Sequence, residues 1–397
     1  MSTKVHRPIF EAMPVALNDI FNEKYHADKV IERQLKLHKK WGSRDRKIFA
    51  ETIYSIVRNW RRYVVMAGLQ WSDEQDINLT EELIYKILFI EFKAQELLWP
   101  NWLKEPTVHP KSLDFADQQS IPDWLNQLGE QQFGPKWSEL ITGLNQQAKI
   151  YLRANTLKVT AAELVKTLFE EGVEAQVVGA HAVCLNQRAN VFRTKAFKLG
   201  LFEVQDYGSQ MIAEFVDPQS KERIWDACAG AGGKALAMAC MMENKGKIIA
   251  SDIHEWKLKE LKKRAKRNSI DVIETRVIDS KMIKRMQGKI DKLLLDVPCS
   301  GLGVLRRNPD TKWKMTPQRI SELQELQKDI LEKYSVTVKP EGSMVYATCS
   351  FLESENMQQV QGFLEQNADW KLESSKSILP QDYDCDAFFM AKLRRLK

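Results

Sequence analysis

The sequence has little of what holds a metal ion or builds a disulfide framework. Its six cysteines are scattered over 397 residues, and none forms a C-x-x-C pair or lies near a histidine cluster. Zinc ligands recur at close spacing, so we expect no metal site. No apolar run approaches the ~18 residues of a membrane span, and the start, MSTKVHRPIF, lacks the apolar core of a secretory signal. We expect a cytoplasmic protein with reduced thiols and no membrane partner.

A strong excess of one charge is missing as well. The net charge is +6, the hydrophobic fraction is 44% and the charged fraction is 28%, which is ordinary for a globular protein. A mild basic bias is compatible with a polyanionic partner but does not identify one. At about 100–200 residues per domain, the length predicts two or three domains.

The first two segments differ in their periodicity. Residues 1–145 carry apolar side chains at helical spacing, with Ser43 as a predicted N-cap, and they contain no catalytic constellation. We interpret them as a helical accessory or binding domain. Residues 146–206 are predicted to form short strands around one helix, which Thr160 and Glu163 begin as a capping box. This second segment is interpreted as a small α+β module.

The third segment, residues 207–397, alternates strands, turns and helices. Thr316 and Pro317 are typical of a helix start, and residues 387–393 are predicted to add a last, antiparallel edge strand. The other strands are predicted at Arg223–Asp226, Lys247–Asp252, Glu274–Ile278, Lys292–Asp296 and Ser343–Thr348. This alternation predicts an α/β fold with a parallel, doubly wound, Rossmann-like sheet.

A glycine-rich turn, DACAGAGGK (226–234), closes the first of these strands. Glycines let a ligand approach the backbone, and the following helix offers free N–H groups. Asp252 ends the next strand, where a carboxylate can accept hydrogen bonds from ribose hydroxyls. Gly230, Gly232 and Ala235 also fit the looser dinucleotide fingerprint, so NAD stays open as a cofactor. The acidic residue four positions before the first glycine favours S-adenosylmethionine.

Two cysteines follow neighbouring predicted strands. Cys299 lies in LDVPCSGLG (295–303) and Cys349 lies in YATCS (346–350). A lone cysteine in a strand is usually a small buried hydrophobe. Two cysteines at the carboxyl ends of parallel strands, where such sheets bind their ligands, favour a functional interpretation instead.

A thiolate has a specific use beside a methyl donor. Cytosine C5 is too weak a nucleophile to attack a methyl sulfonium directly. A thiolate that adds at C6 turns the ring into an enamine and makes C5 nucleophilic. Asp296 is a candidate to relieve the developing charge at N3, for which it must be protonated or share a proton with N3. No histidine lies in these blocks, which disfavours a Cys–His enzyme.

These blocks resemble the RsmB/Nol/Sun family of RNA cytosine-5 methyltransferases, in order over residues 150–393. The first segment resembles the NusB-like domain of the bacterial rRNA members. The family turn reads CAAPGGKT, whereas Gly230 and Ala231 replace Ala-Pro here and Ala235 replaces Thr; Ala387 replaces the glycine of a closing Asp-Gly-Phe-Phe. The matching blocks are 152–155, 204–206, 226–234, 296–301, 306–310, 348–350, 355–356 and 386–389.

The resemblance implies a class I methyltransferase domain over residues 207–397 with S-adenosylmethionine as cofactor. It implies that Cys349 is the nucleophile, that Cys299 assists release of the methylated base, and that Asp296 and Lys234 lie at the reacting centre. Asp252 is then expected to hold the ribose and Asp279 the adenine. The cofactor is expected to contact Cys228, Ala229, Gly230, Ala231, Gly232, Gly233, Lys234, Asp252, Asp279 and Asp296.

The expected partner is ribosomal RNA, 16S rRNA in particular, in a single-stranded or looped region, because the target base must be unstacked. A monomer is expected. Arg153, Arg306 and Arg307 adjoin the active-site blocks and are predicted to contact RNA. Helix 255–267 carries seven basic residues, interpreted as a solvated face rather than an RNA contact.

Four alternatives stay open from the residues. In a DNA cytosine methyltransferase, Cys299 would be the nucleophile. An NAD-dependent oxidoreductase would bind its cofactor at the glycine-rich turn and would leave the two cysteines without a role. The substrate could be tRNA or another RNA. A non-enzymatic rRNA-binding assembly factor could keep the fold, although the presence of both cysteines argues against it.

Overall fold

The computed structural model describes residues 3–74, 77–108, 112–279 and 281–397. The chain divides into two compact units. The first comprises Met1–Gln146 with Leu305–Pro317, here called the inserted segment, and the second comprises Gln147–Val304 with Gln318–Lys397. This differs from the predicted three-part division in two respects: the α+β module and the large sheet form one unit, and the inserted segment belongs to the helical unit.

The described helices are short and numerous. They are α1 (Arg7–Phe21), α2 (Ala27–Leu37), α3 (Ser43–Arg58), α4 (Trp60–Met66), α5 (Glu81–Ala94), α6 (Phe115–Gln119), α7 (Asp123–Phe133), α8 (Trp137–Leu144), α9 (Ala161–Glu170), α10 (Lys195–Lys198), α11 (Tyr207–Val216), α12 (Gly233–Met241), α13 (Glu255–Asn268), α14 (Met282–Met286), α15 (Thr311–Lys314), α16 (Pro317–Ser335), α17 (Met357–Gln366) and α18 (Pro380–Tyr383). Among these helices, none has the length and apolar character needed to span a membrane.

The described strands build three sheets. They are β1 (Thr3–Lys4), β2 (Leu97–Leu98), β3 (Tyr151–Ala154), β4 (Ala175–Val177), β5 (Ala182–Leu185), β6 (Phe202–Val204), β7 (Arg223–Asp226), β8 (Lys247–Asp252), β9 (Ile273–Val277), β10 (Ile290–Asp296), β11 (Val338–Thr348), β12 (Trp370–Ile378) and β13 (Phe388–Arg395).

The first unit contains helices α1–α8, and the apolar faces of α1–α5 share one core that includes Phe10, Phe49 and Ile87. The helical prediction is confirmed here, with one small parallel pair, β1 and β2, beside it. The prediction of Ser43 as an N-cap is wrong: Ser43 is the first helical residue, and Gly42 precedes it without a side-chain cap.

The inserted segment is tied into this helical unit by side chains of α15. Trp313 donates its indole N–H to the carbonyl of Val57 at 2.6 Å. The Lys312 ammonium, fully buried, donates to the Arg58 carbonyl and to Asn145 Oδ1, both at 2.9 Å. Burial and the nearby charge of Arg58 lower the pKa of Lys312 well below its ordinary value. These contacts pack α15 against the rest of the first unit.

The smaller sheet of the second unit is antiparallel, in the order β4-β5-β3-β6. Helix α9 packs against it and begins with the predicted capping box: Thr160 accepts from Glu163 N, and the Glu163 carboxylate accepts from Thr160 N. The capping-box prediction is confirmed.

The larger sheet has the order β12-β13-β11-β10-β7-β8-β9, and β13 is antiparallel to both of its neighbours. The five predicted parallel strands are confirmed within three residues, except that β11 starts five residues earlier. The prediction that the last strand lies at the edge is wrong: β12 takes the edge. The burial pattern explains this, because β13 is mostly buried and β12 is mostly exposed.

The carboxyl ends of the parallel strands meet at one edge of this sheet. Asp226 ends β7, Asp252 ends β8, Asp296 ends β10 and Thr348 ends β11. The register pairs Asp296 with Ala347, so the segments after β10 and β11 leave the sheet side by side. The predicted site residues that follow these strands are therefore brought together.

Candidate active site

The glycine-rich turn leaves β7 with two residues in left-handed backbone, Gly230 at φ +54° and Gly232 at φ +84°. A Cβ at Gly232 would lie 2.0 Å from Leu261, so only glycine fits there. Gly230 N donates to Asp252 Oδ2 at 3.1 Å, which ties the turn to the end of β8. The two segments that the sequence predicts to hold the cofactor, the turn and the end of β8, are therefore in contact.

The turn is open at Gly230 and lies beside two buried carboxylates, an arrangement that fits a nucleoside-bearing cofactor. A Cβ at Gly230 would meet no atom within 4 Å. The carboxylate of Asp226 is buried and has no hydrogen-bond partner among the described residues, a costly arrangement that a ligand or a proton relieves. Burial and the charge of Asp296 raise the pKa of Asp226 to about 7. Asp252 adds a second carboxylate at the same edge.

Two further predicted cofactor positions, Asp279 and Cys228, differ in their surroundings. Asp279, two residues beyond β9, is exposed, and its carboxylate accepts from Lys281 N at 2.7 Å and pairs with Arg285. Cys228 lies inside the turn, and burial raises the pKa of its thiol, so it is a neutral group rather than a nucleophile.

An ion pair joins the turn to the end of β10. Lys234 Nζ donates to Asp296 Oδ2 at 2.6 Å. Burial acts to lower the pKa of Lys234, but the charges of Asp296, Asp226 and Cys349 outweigh it, so the pKa lies above its ordinary value. Lys234 is thus an ammonium ion that faces both carboxylates and the cysteine after β11.

The two predicted catalytic cysteines lie against each other. The sulfurs of Cys299 and Cys349 are 3.4 Å apart, and the backbone N–H of Cys349 donates to Cys299 Sγ at 3.3 Å. Both side chains are partly exposed. The hydrogen bond with Cys349, burial and the charge of Cys349 raise the pKa of Cys299 well above its ordinary value. Cys299 therefore keeps its proton more firmly than an ordinary thiol.

A buried glutamate, Glu355, holds the two cysteine segments together. Its carboxylate accepts from Ser300 N at 2.8 Å and Ser300 Oγ at 2.6 Å, next to Cys299. Its backbone carbonyl accepts from Tyr346 on β11 at 2.6 Å. Asn356 continues the network, because its side chain donates to the carbonyl of Ser350 at 3.1 Å, next to Cys349. Neither cysteine loop can move without breaking buried hydrogen bonds.

Gly303 closes the Cys299 loop against the Cys349 loop. Its N–H donates to the Cys349 carbonyl at 2.9 Å, and its own carbonyl accepts from Ala387 N at 2.8 Å. A Cβ at this position would lie 2.2 Å from the Ala387 carbonyl oxygen and 2.8 Å from that of Cys349. Close backbone approach therefore requires glycine here.

The three arginines predicted to contact RNA differ from the cysteines in their placement. Arg153 is 3% exposed and donates to Gln205 Oε1 at 2.8 Å and towards Cys240 Sγ. Arg306 is also 3% exposed and lies in the inserted segment. Buried guanidinium groups cannot reach an RNA phosphate in this conformation, which argues against the prediction for both. Arg307 is the more accessible of the two in the inserted segment.

Two site residues were missed as functional candidates. In the sequence, Asp226 is only the acidic residue before the first glycine that favours S-adenosylmethionine, and its burial is visible only in three dimensions. Glu355 was noted only as part of a matching block. The signal available in the sequence was its position six residues after Cys349, too weak to predict a contact with Ser300 across the site.

Comparison with known proteins finds two matching families. The model described as 16S rRNA methyltransferase RsmB/F matches residues 213–394, and a ferredoxin-like domain of RsmF/B-like methyltransferases matches residues 121–192. The second match begins before the predicted module boundary at 146.

Two curated relatives are similar over most of the chain. A probable ribosomal RNA small subunit methyltransferase B of Synechocystis is 33% identical over 72% of this chain and 69% of its own length. Its counterpart in Bacillus subtilis is 31% identical over 70% of this chain and 67% of its own length. The crystal structure of PH0851 covers 97% of both chains with a TM-score of 0.80 at 22% identity, which supports the fold.

Proposed function

Since the chain belongs to the RsmB/F family of rRNA methyltransferases and is an S-adenosylmethionine-dependent RNA methyltransferase, we propose that it methylates C5 of a cytosine in 16S rRNA through a covalent bond to Cys349. The observation that carries this proposal is the pair of thiols, 3.4 Å apart, beside the ion pair of Lys234 and Asp296. S-adenosylmethionine supplies an electrophilic methyl group on a sulfonium.

The residue roles follow from charge and proton balance. The Cys349 thiolate adds to C6, and the C5=C6 electrons make C5 nucleophilic while N3 takes up a proton. Asp296 is ion-paired with the Lys234 ammonium in the free protein, so the proton for N3 has to come through this pair. We infer that Lys234 and Asp296 act together: the ammonium lends the proton that Asp296 shares with N3.

Cys299 fits the second half of the reaction. After C5 takes the methyl group, its proton must leave before the bond between C6 and Cys349 breaks. The pKa of Cys299 is raised chiefly by its hydrogen bond to Cys349 and by burial, with the charge of Cys349 as a further cause. Once Cys349 is bonded to carbon, its hydrogen bond and charge no longer hold the proton on Cys299, so Cys299 can release that proton to water and then, as a thiolate, accept the one on C5. Elimination then restores the Cys349 thiolate.

The substrate geometry follows from the same thiols. A base inside a duplex cannot reach a thiolate at a sheet edge, so a single-stranded or looped region of rRNA is proposed. A reduced Cys349 is required for every turnover, which supports action in the cytoplasm, where thiols are kept reduced. Asp252 and Asp279 are proposed to hold the ribose and the adenine of the cofactor, beside the turn residues 228–234.

The test is methyl transfer to defined nucleic acids. Tritiated S-adenosylmethionine is incubated with the full chain and 16S rRNA, and the digested RNA is analysed for 5-methylcytidine by mass spectrometry. We expect label in 5-methylcytidine with the wild type and with Cys184→Ala, a buried thiol of the small sheet, and none with Cys349→Ala. Label in another nucleoside, or in a cytosine DNA oligonucleotide and not in RNA, contradicts the proposal.

A further inference from the structure

Helix α13 contacts two consecutive residues of the glycine-rich turn, Ala231 and Gly232. Leu261 packs where a Cβ of Gly232 would stand, and Arg264 Nη1 donates to the carbonyl oxygen of Ala231 at 2.7 Å. Ala231 lies between Gly230 and Gly232, the two residues with left-handed backbone. The contact with Arg264 therefore holds the part of the turn that has the greatest conformational freedom.

Arg264 is in turn held by a buried carboxylate of the small sheet. Its Nε and Nη2 donate to the same oxygen of Glu203, at 3.1 and 2.9 Å. Glu203 lies on β6 and is 3% exposed. Its other oxygen accepts from Arg267 and Asn268. One planar guanidinium thus reaches a carboxylate on one side and the turn on the other, a geometry that lysine cannot reproduce.

The electrostatics keep this anchor charged. Burial acts to raise the pKa of Glu203, but the charges and hydrogen bonds of Arg264 and Arg267 outweigh it, so the pKa lies below its ordinary value. A charged acceptor with several donors forms shorter and stronger hydrogen bonds than a neutral one. Arg264 is therefore fixed in one orientation, with Nη1 directed at Ala231.

We propose that Arg264, anchored by Glu203, is a positioning residue for S-adenosylmethionine: it holds the Ala231 carbonyl so that the turn has its binding conformation before the cofactor arrives. The inference rests on the proposed role of turn residues 228–234 in cofactor binding. Preorganisation increases affinity because less ordering is required on binding. Strand β6 of the small sheet thus contributes to cofactor affinity through Arg264.

The test compares two arginines on the same carboxylate. Arg264→Lys keeps the charge but cannot bridge Glu203 and Ala231. Arg267→Lys is the matched control, since Arg267 contacts Glu203 and is similarly buried, but it makes no contact with the turn. We expect the Kd for S-adenosylmethionine, measured by titration calorimetry on the full chain, to rise about tenfold in Arg264→Lys and to change less than twofold in Arg267→Lys.

Thermal melting of both variants separates positioning from stability. We expect similar decreases in Tm for the two lysine variants. Glu203→Gln weakens the anchor without removing Arg264, and we expect it to raise the Kd by an intermediate amount. Equal Kd values for Arg264→Lys and Arg267→Lys would overturn the inference and leave Arg264 a structural residue. A wild-type chain that binds no S-adenosylmethionine contradicts the proposed function instead, so the two failures are distinguishable.

Discussion

Cys299 Sγ lies 3.4 Å from Cys349 Sγ, and the two sulfurs belong to segments that leave adjacent parallel strands of one sheet. The separation is a contact between thiols, not a bond, so both are available for chemistry. The asymmetry between them is also defined, because Cys299 has a strongly raised pKa and receives the backbone N–H of Cys349.

A mechanism-based trap separates the roles of the two thiols. In RNA that carries 5-fluorocytidine at the target, methylated C5 has no proton to lose, so the covalent adduct persists. We expect a denaturation-stable complex with the wild type and with Cys299→Ala, and none with Cys349→Ala, on a denaturing gel. Loss of the adduct with Cys299→Ala and its retention with Cys349→Ala assign the nucleophile to Cys299, as in the DNA-type alternative.

Mild oxidation is expected to join the two thiols. Hydrogen peroxide converts the Cys349 thiolate to a sulfenic acid with release of hydroxide, and the Cys299 sulfur then displaces water to form a disulfide. We expect an intact-mass loss of two hydrogens, a crosslinked peptide pair, and activity that returns with dithiothreitol.

Two variants control the oxidation experiment. Cys184→Ser, which removes a thiol outside the site, is expected to behave as the wild type. Cys299→Ser has no resolving thiol, so Cys349 is expected to pass beyond the sulfenic acid to sulfinic or sulfonic acid, which dithiothreitol does not reduce. An oxidised wild type with added oxygen and no crosslink contradicts this prediction.

The buried carboxyl of Asp226 makes stability depend on pH. Its pKa is raised from 3.8 to about 7, first by burial and then by the charge of Asp296. The folded chain therefore binds a proton that the unfolded chain releases between about pH 4 and 7, so this group's contribution to stability is present below that window and is lost as pH rises through it.

We expect Asp226→Asn to remove this loss of folding stability with rising pH. The free energy of unfolding of the variant, relative to the wild type, is expected to increase by a few kcal/mol between pH 5 and pH 8. Urea unfolding of the cofactor-free protein at both pH values is the measurement. Asp271→Asn, at an exposed position, is the control and is expected to follow the wild type. Parallel pH dependence of Asp226→Asn and the wild type rules the interpretation out.

Gly303 and Gly362 offer a matched pair of glycine substitutions. A Cβ at Gly303 collides with two backbone carbonyl oxygens, whereas one at Gly362, inside α17, meets no atom within 4 Å. We expect Gly303→Ala to destabilise by about 1–3 kcal/mol and to lower activity at least tenfold, because the Cys299 and Cys349 loops must separate. Gly362→Ala is expected to stabilise by about 0.5–1 kcal/mol. Urea unfolding and methyl transfer measure both, and similar effects of the two substitutions contradict the close-approach argument.

The sequence predicted the large sheet well because its strands end in chemically distinctive residues. Strands β7 and β8 were bounded correctly by Asp226 and Asp252, where an apolar run stops at a carboxylate followed by a turn. Placing Cys299 beside Cys349 needed only the rule that parallel strands present their carboxyl ends on one edge. Local pattern and global fold agree at these positions.

The arginines show what local pattern cannot predict. Arg264 and Arg267 lie among the basic residues of a helix face expected to be solvated, yet both pair with Glu203, 61 and 64 residues earlier. Arg153 was predicted to contact RNA and is buried against Gln205. A charged side chain has no periodicity that reveals a distant partner, so its burial depends on the tertiary structure alone.

The inserted segment has a consequence for how the protein is made. The helical unit includes Leu305–Pro317, so its interior receives Trp313 and Lys312 only after most of the catalytic unit has been translated. The amino-terminal part cannot complete its folding on the ribosome in simple order from the first residue onwards. Until residue 317 has been translated, the nascent helical part lacks its contacts with Lys312 and Trp313. A chain cut between residues 146 and 147 separates the helical part from a segment that packs against it.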